Sequence, residues 1–207
     1  MNEGLARKLW SLNADIAERC LVHPFVTGLA DGSLDKEAFK RYVAQDAFFL
    51  RAFRKAFALA IARCDDTETA KIFHNLMGGV LKELNLHAAY SREMGIEIDS
   101  VTPFPQCQAY TDFLQKTAWQ DSVAEIVAAM APCMVLYAWL GTRLQGTISL
   151  NTPYIKWIDT YASEDMQQLA KTMETLLDRM AQDTPEIRHA YRYAMKCEYD
   201  FFSAPLK

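Results

Sequence analysis

Phe39-Lys40-Arg41-Tyr42-Val43-Ala44-Gln45-Asp46-Ala47-Phe48-Phe49-Leu50-Arg51-Ala52-Phe53-Arg54-Lys55-Ala56-Phe57 is the stretch that decides the fold class. Phe39, Tyr42, Asp46, Phe49, Phe53 and Phe57 recur at intervals of three and four, which puts them on one face of a helix. The spacing predicts a long helix from about Lys36 to Cys64.

Helical punctuation continues in both directions. Toward the N-terminus, Leu5, Leu9, Leu12 and Ile16 predict a first helix from about Leu5 to Cys20, broken by His23-Pro24. Gly28, Gly32 and Ser33 then lead into the long helix. Beyond it, a second long helix is expected over Thr67 to Met94 with Gly95 as its stop. Pro103 and Pro105 mark a loop before a helix from about Gln106 to Trp119. Ser122-Val123-Ala124-Glu125 reads as a capping box opening a helix that Gly146 ends. Pro153 suits the first turn of a helix reaching Tyr161, Ser163 can cap the next, and Thr184-Pro185 opens the last. No segment alternates strictly between turn residues as a strand would. The chain is read as all-α, a compact helical bundle forming one domain over 1–207.

Composition narrows the function classes. A formal charge of −4 gives a nucleic-acid partner no electrostatic footprint. No apolar run is read as long enough to span a bilayer, and Met1-Asn2-Glu3-Gly4-Leu5 lacks the basic-then-apolar pattern of a signal peptide. A cytoplasmic protein with no membrane partner is expected. Cys20, Cys64, Cys107, Cys133 and Cys197 show no metal-site spacing, so free thiols are expected, most of them small buried hydrophobes.

The informative residues are polar ones on apolar stripes. Asp46 sits in the middle of the aromatic stripe, where an unpaired carboxylate is costly and needs donors or a cation. Glu198 falls within the stripe of Ile187, Tyr191, Ala194 and Phe201. Cys133 and Tyr137 lie one turn apart on the face that carries Ile126 and Met130. Tyr161 closes the short helix after Pro153. Two carboxylates, a thiol and phenols turned inward suggest a lined cavity. A buried carboxylate matches the edge of a ring nitrogen beside an exocyclic amine. A thiolate can add to an electron-poor ring that a carboxyl of raised pKa protonates. An aminopyrimidine meets both demands and would stack on aromatic walls.

These residues also carry a family resemblance. Phe39-Lys40-Arg41-Tyr42-Val43-Ala44-Gln45-Asp46 resembles the F-x-x-Y-x-x-Q-D signature of the TenA/thiaminase II family. Ala131-Pro132-Cys133-Met134-Val135-Leu136-Tyr137 is similar to its P-C-x-x-x-Y motif. Tyr154-Ile155-Lys156-Trp157-Ile158-Asp159-Thr160-Tyr161 is similar to its Y-x-x-W-I-x-x-Y, and Cys197-Glu198-Tyr199-Asp200-Phe201-Phe202 to its closing motif. The resemblance implies a heme-oxygenase-like fold and a homotetramer; no cofactor or metal is expected. It implies hydrolysis of aminomethyl-aminopyrimidine to hydroxymethyl-aminopyrimidine plus ammonia, with thiamine hydrolysis as a second activity. By position it makes Cys133 the nucleophile, Glu198 the proton donor at the ring and Asp46 the carboxylate that grips it. Tyr137 and Tyr161 become substrate contacts, and Tyr110 a tyrosine that helps activate the thiol. Phe49 stands where many members carry a second activating tyrosine, and its place on the stripe predicts that it faces the cavity.

Two alternatives remain at the level of sequence. One is a non-catalytic pyrimidine-binding or regulatory protein. The other is a di-metal oxidase, for which Glu83 with His87 is the nearest signal; the pair is spaced by four rather than three and has no second copy. His23, His74 and His189 are read as surface or helix-end residues.

Overall fold

The computed structural model describes residues 4–98, 100–146 and 152–207. Met1, Asn2 and Glu3, part of the N-terminal stretch read above, lie outside them. The described residues form α1 (Leu5–Leu12), α2 (Ala14–Leu21), α3 (Pro24–Asp31), α4 (Lys36–Ala62), α5 (Thr67–Met94), α6 (Pro105–Gln120), α7 (Val123–Gln145), α8 (Ile155–Ala162), α9 (Glu164–Met180) and α10 (Pro185–Ser203), then a short 3-10 turn (Ala204–Leu206), with no strand among them. The all-α expectation holds.

Most boundaries follow the local chemistry read from the sequence. Asp35 accepts from the amide of Ala38 at 3.0 Å to open α4, and Asp66 accepts from Thr69 at 2.8 Å to open α5. Gly95 ends α5 in the left-handed conformation with φ 65°. Ser122 and Glu125 form the reciprocal capping box of α7. Thr184 caps α10, with Pro185 at its first position.

The N-terminal segment differs from the single helix expected. It breaks at Asn13, whose side chain donates to the Leu9 carbonyl at 2.8 Å, competing with the helical ladder. Arg192 fixes the same residue from α10 at 3.1 Å. His23-Pro24 likewise starts a helix instead of only ending one. Pro24 occupies the first turn of α3, and His23 Nδ1 accepts from the Phe25 amide at 3.2 Å.

α4 and α5, 27 and 28 residues long, pair along one side, and α7 fills the centre against α8, α9 and α10. The expectation that no apolar run could span a bilayer is corrected by α7. Its 23 residues are long and apolar enough by composition, and 67 % of its most apolar window is buried within the fold. Surrounding helices supply the apolar environment that such a segment requires. Gly141 lets α8 approach closely: a β-carbon there would stand 2.5 Å from the backbone of Tyr161 and Ala162. That approach sets Tyr161 beside Tyr137, ring centroids 4.8 Å apart.

Candidate active site

The site grows from the facing stripes of α4 and α5. Asp46 is only 4 % exposed, and the cation it requires comes from His87 of α5, whose Nε2 lies 2.7 Å from Asp46 Oδ2. The contact is short but bent, so Asp46 Oδ2 has no well-aligned hydrogen-bond donor among the described residues. Burial alone would lower the proton affinity of His87, yet the charges of Asp46 and Glu83 raise it above the ordinary histidine value. One turn back, Glu83 accepts from the Tyr161 hydroxyl at 2.5 Å, tying α5 to α8. Burial and the Asp46 charge push Glu83 up to about 7, against the opposing effects of His87 and Tyr161. Gln45, next to Asp46, is occupied elsewhere: its amide donates to Thr102 O and accepts from Phe104 N, pinning the loop before α6 to α4.

The opposite wall comes from α7. Pro132 removes one intrahelical hydrogen bond directly before Cys133. Cys133 is half-buried and opens into the cavity, whereas Cys20, Cys107 and Cys197 are buried. Burial, then the carboxylates of Glu198, Glu83 and Asp46, push the Cys133 thiol well above the ordinary cysteine value. Burial raises the other cysteines as well, Cys20 and Cys197 to about 12. Proton affinity therefore does not single out Cys133; its place in the wall does.

Glu198 of α10 is 2 % exposed and accepts from the Tyr110 hydroxyl at 2.7 Å. Burial pushes it up to about 8, with Tyr110 and Cys133 lowering it and Asp46 raising it further. The hydroxyl of Tyr110 is thus engaged by the acid and not by the thiol it is implied to activate. Phe49 is buried with its ring 4.8 Å from Tyr110 and 5.3 Å from Phe53. It is not among the lining residues, so the expectation that it faces the cavity is corrected. Leu50 and Phe53 take that surface, and Phe49 packs one layer behind. Tyr42 braces the floor, accepting from Trp157 Nε1 at 3.2 Å and donating to the Tyr137 hydroxyl at 3.4 Å.

Asp46, Glu83, Cys133, Tyr137 and Tyr161 line one cavity of about 540 Å³. Its rim carries the exposed residues His74, Asn75, Lys82, Asp165 and Gln168. In the sequence Glu83 and His87 resemble only an unmatched metal motif. They share a stripe with Phe73, Leu76 and Val80 at intervals of three and four, the same signal that exposed Asp46. The ligating atoms of Asp46, Glu83 and His87 lie within 4.8 Å of one another. Their donor set nevertheless suits an ion poorly: the imidazole nitrogen nearest Asp46 is turned onto that carboxylate, and one Glu83 oxygen is taken by Tyr161. The arrangement can grip a flat polar ring with a carboxylate, present a sulfur to its face, and move protons between Cys133, Glu198 and the ring.

Comparison with known proteins gives a consistent grouping. A model of the TENA/THI-4/PQQC family matches residues 10–207. An aminopyrimidine aminohydrolase of Halalkalibacterium halodurans is 33 % identical over 182 residues, covering 85 % of this chain and 81 % of that protein. The aminopyrimidine aminohydrolase of Bacillus subtilis is 31 % identical over 180 residues, covering 85 % and 76 %. The crystal structure of a protein described as a TenA family transcription regulator from a Silicibacter species superposes with a TM-score of 0.92 at 27 % identity, covering 99 % of this chain and 97 % of that one. A Shewanella denitrificans domain with a heme oxygenase-like fold superposes at 0.77 and 13 % identity, covering 97 % and 91 %, a likeness of fold alone.

Proposed function

This chain belongs to the TENA/THI-4/PQQC family, and from that membership and the site geometry we propose that it is an aminopyrimidine aminohydrolase of thiamine salvage. The substrate is aminomethyl-aminopyrimidine, the products are hydroxymethyl-aminopyrimidine and ammonia, and thiamine hydrolysis is a second activity of the same site. The reading is carried by the convergence of Cys133, Asp46, Tyr137 and Tyr161 on one cavity, with Glu198 behind the thiol.

In this mechanism Asp46, paired with His87, accepts from the exocyclic amine beside the ring nitrogen. Tyr137 and Tyr161 close over the ring. The surrounding carboxylates keep Cys133 a thiol at rest, so the nucleophile forms only as it reacts. Glu198, with its proton affinity near neutrality, hands a proton to the ring and takes up the one that sulfur releases. Addition without a standing thiolate spares the protein a further buried negative charge beside the Asp46 carboxylate. A cytoplasmic homotetramer completes the proposal. The exposed Trp119 (68 %) and Leu81 (41 %) are apolar surface that assembly could cover, and sedimentation velocity tests it.

The deciding experiment is ammonia release from aminomethyl-aminopyrimidine, run beside thiamine, with wild type and Cys133→Ser. Wild type should turn over the aminopyrimidine. The serine variant should lose at least about 100-fold while still binding the pyrimidine, because a hydroxyl is a far weaker nucleophile near neutral pH. Near-normal turnover in Cys133→Ser ends the covalent mechanism, and tight binding without turnover by wild type makes the protein a pyrimidine-binding module.

A further inference from the structure

Three carboxylates surround the reacting space, and the mechanism above uses only two. Asp46 is paired with His87 and committed to the ring, and Glu198 is buried with Tyr110 at the thiol end. Glu83 is different. It is half-buried and lines the cavity between the buried surface of Tyr137 and Tyr161 and the exposed rim of His74, Asn75 and Lys82. A leaving group and an incoming water exchange with solvent past the exposed part of this lining, and Glu83 is the half-buried carboxylate beside it.

We propose that Glu83 is the acid–base residue of the exocyclic methylene, holding the departing amine and taking the proton of the water that replaces it. The proposal rests on the aminohydrolase reading. In the first step the sulfur of Cys133 bonds to the ring and the ring nitrogen gains a proton through Glu198. The substrate amine, present as an ammonium, then sits against the Glu83 carboxylate. Electrons from the loaded ring form the exocyclic double bond as the carbon–nitrogen bond breaks, and its electron pair leaves on ammonia. Water bonds to the methylene carbon and gives one proton to Glu83, returning an electron pair to the ring. Glu83 passes that proton to ammonia, which departs as ammonium. Finally the carbon–sulfur bond breaks, the ring nitrogen loses its proton through Glu198, and Cys133 is a thiol again. Substrate ammonium and water become alcohol and ammonium, with no other reactant required.

Two features of the surroundings favour this role. Tyr161 fixes one carboxyl oxygen of Glu83 by its hydroxyl, so the group is aimed, while the imidazole of His87 is turned onto Asp46. Burial and the Asp46 charge bring its proton affinity to about 7, where a carboxyl can both accept and return a proton in one cycle. Tyr161 and His87 are positioning residues in this scheme.

The test uses Glu83→Gln and Glu83→Ala. Glutamine retains an oxygen for the Tyr161 hydroxyl, so that variant should fold and bind hydroxymethyl-aminopyrimidine within about twofold of wild type, while ammonia release falls about 100-fold or more. Azide has no proton to lose, so adding it to Glu83→Ala should restore turnover and yield azidomethyl-aminopyrimidine, identified by mass spectrometry. Turnover of Glu83→Gln within a few-fold of wild type overturns the proposal. So does a loss that azide fails to rescue while pyrimidine binding is intact. If wild type itself releases no ammonia, the underlying reading fails and takes this one with it. If wild type turns over, Cys133→Ser is dead and Glu83→Gln is active, only the role of Glu83 is lost.

Discussion

His87 Nε2 lies 2.7 Å from Asp46 Oδ2, so the carboxylate in the middle of α4 meets an imidazole from α5 before any ligand arrives. The pair joins the two longest of the described helices at the cavity wall, which Asp46 itself lines. Binding and stability are therefore coupled at one residue.

Asp46→Asn keeps the shape of the side chain but removes its charge and can turn a donor toward the ligand's own donor. Pyrimidine binding should weaken by roughly 2–3 kcal/mol, the scale of a lost charge-assisted hydrogen bond. His87→Asn strands the carboxylate without its cation and should cost about 3–5 kcal/mol of folding stability. Calorimetric titration with hydroxymethyl-aminopyrimidine and urea unfolding measure the two effects. Unchanged affinity in a folded Asp46→Asn would reduce Asp46 to a structural partner of His87.

Stability should fall as pH rises from about 5 to about 8. Burial raises Glu83 to about 7 and Glu198 to about 8, so both hold their protons in the folded state after an unfolded carboxyl, near 4.3, has lost its own. The folded state then binds more protons than the unfolded state, and the unfolding free energy declines with pH by about 1.4 kcal/mol per unit for each such group. His87 adds the same sign. Its affinity is raised by Asp46 and Glu83 despite burial, so its contribution is complete below about 6.5 and is lost as pH rises through its folded value. Glu198→Gln should flatten the upper part of the curve and raise Tm at pH 8 while abolishing turnover. Parallel Tm curves for wild type and Glu198→Gln would show that Glu198 is not the titrating group.

Much of this arrangement was legible because burial penalises charge. Asp46, Glu198 and Cys133 stood out as polar interruptions of apolar stripes, and the structure turns Asp46 and Cys133 into one cavity with Glu198 behind the thiol. Glu83 and His87 meet the same criterion, but their spacing of four resembles an incomplete metal motif and does not reveal their relation to Asp46. Periodicity gives each helix its inward face and says nothing of which faces meet; that depends on close approaches such as Gly141 against Tyr161. Asn13 illustrates a local limit. Apolar spacing runs straight through it, and only its side-chain bond to Leu9 O breaks the helix.

Gly141→Ala tests whether the approach of α7 to α8 builds the site. The added methyl would lie 2.5 Å from backbone atoms of Tyr161 and Ala162, which cannot rotate away. A loss of about 1–3 kcal/mol is expected from overpacking, together with reduced turnover as Tyr161 shifts from Glu83. Gly78→Ala is the contrast: nothing lies within 4 Å of its added methyl, and removing a glycine from the interior of α5 should stabilise by roughly 0.5–1 kcal/mol. Equal Tm values for the two variants would refute the steric argument.

Phe49→Tyr asks what the missing hydroxyl costs. Phe49 packs behind the cavity wall among Phe53, Tyr110 and Phe201, with centroids 5.3, 4.8 and 5.7 Å away. A phenol there would enter the environment in which Tyr110 already donates to Glu198, offering a second hydroxyl to the charge that develops as Cys133 gives up its proton. One hydrogen bond of about 1 kcal/mol limits the gain to about fivefold in turnover. The new oxygen must also fit a layer where Phe49 is 3 % exposed, and overpacking should lower stability by about 1–3 kcal/mol. The expected signature is therefore faster thiamine or aminopyrimidine hydrolysis with a reduced Tm, read from steady-state rates and thermal melts of the same preparation. A variant with unchanged rates and a lowered Tm would show that the hydroxyl does not reach the proton path, leaving Tyr110 as the phenol that serves it.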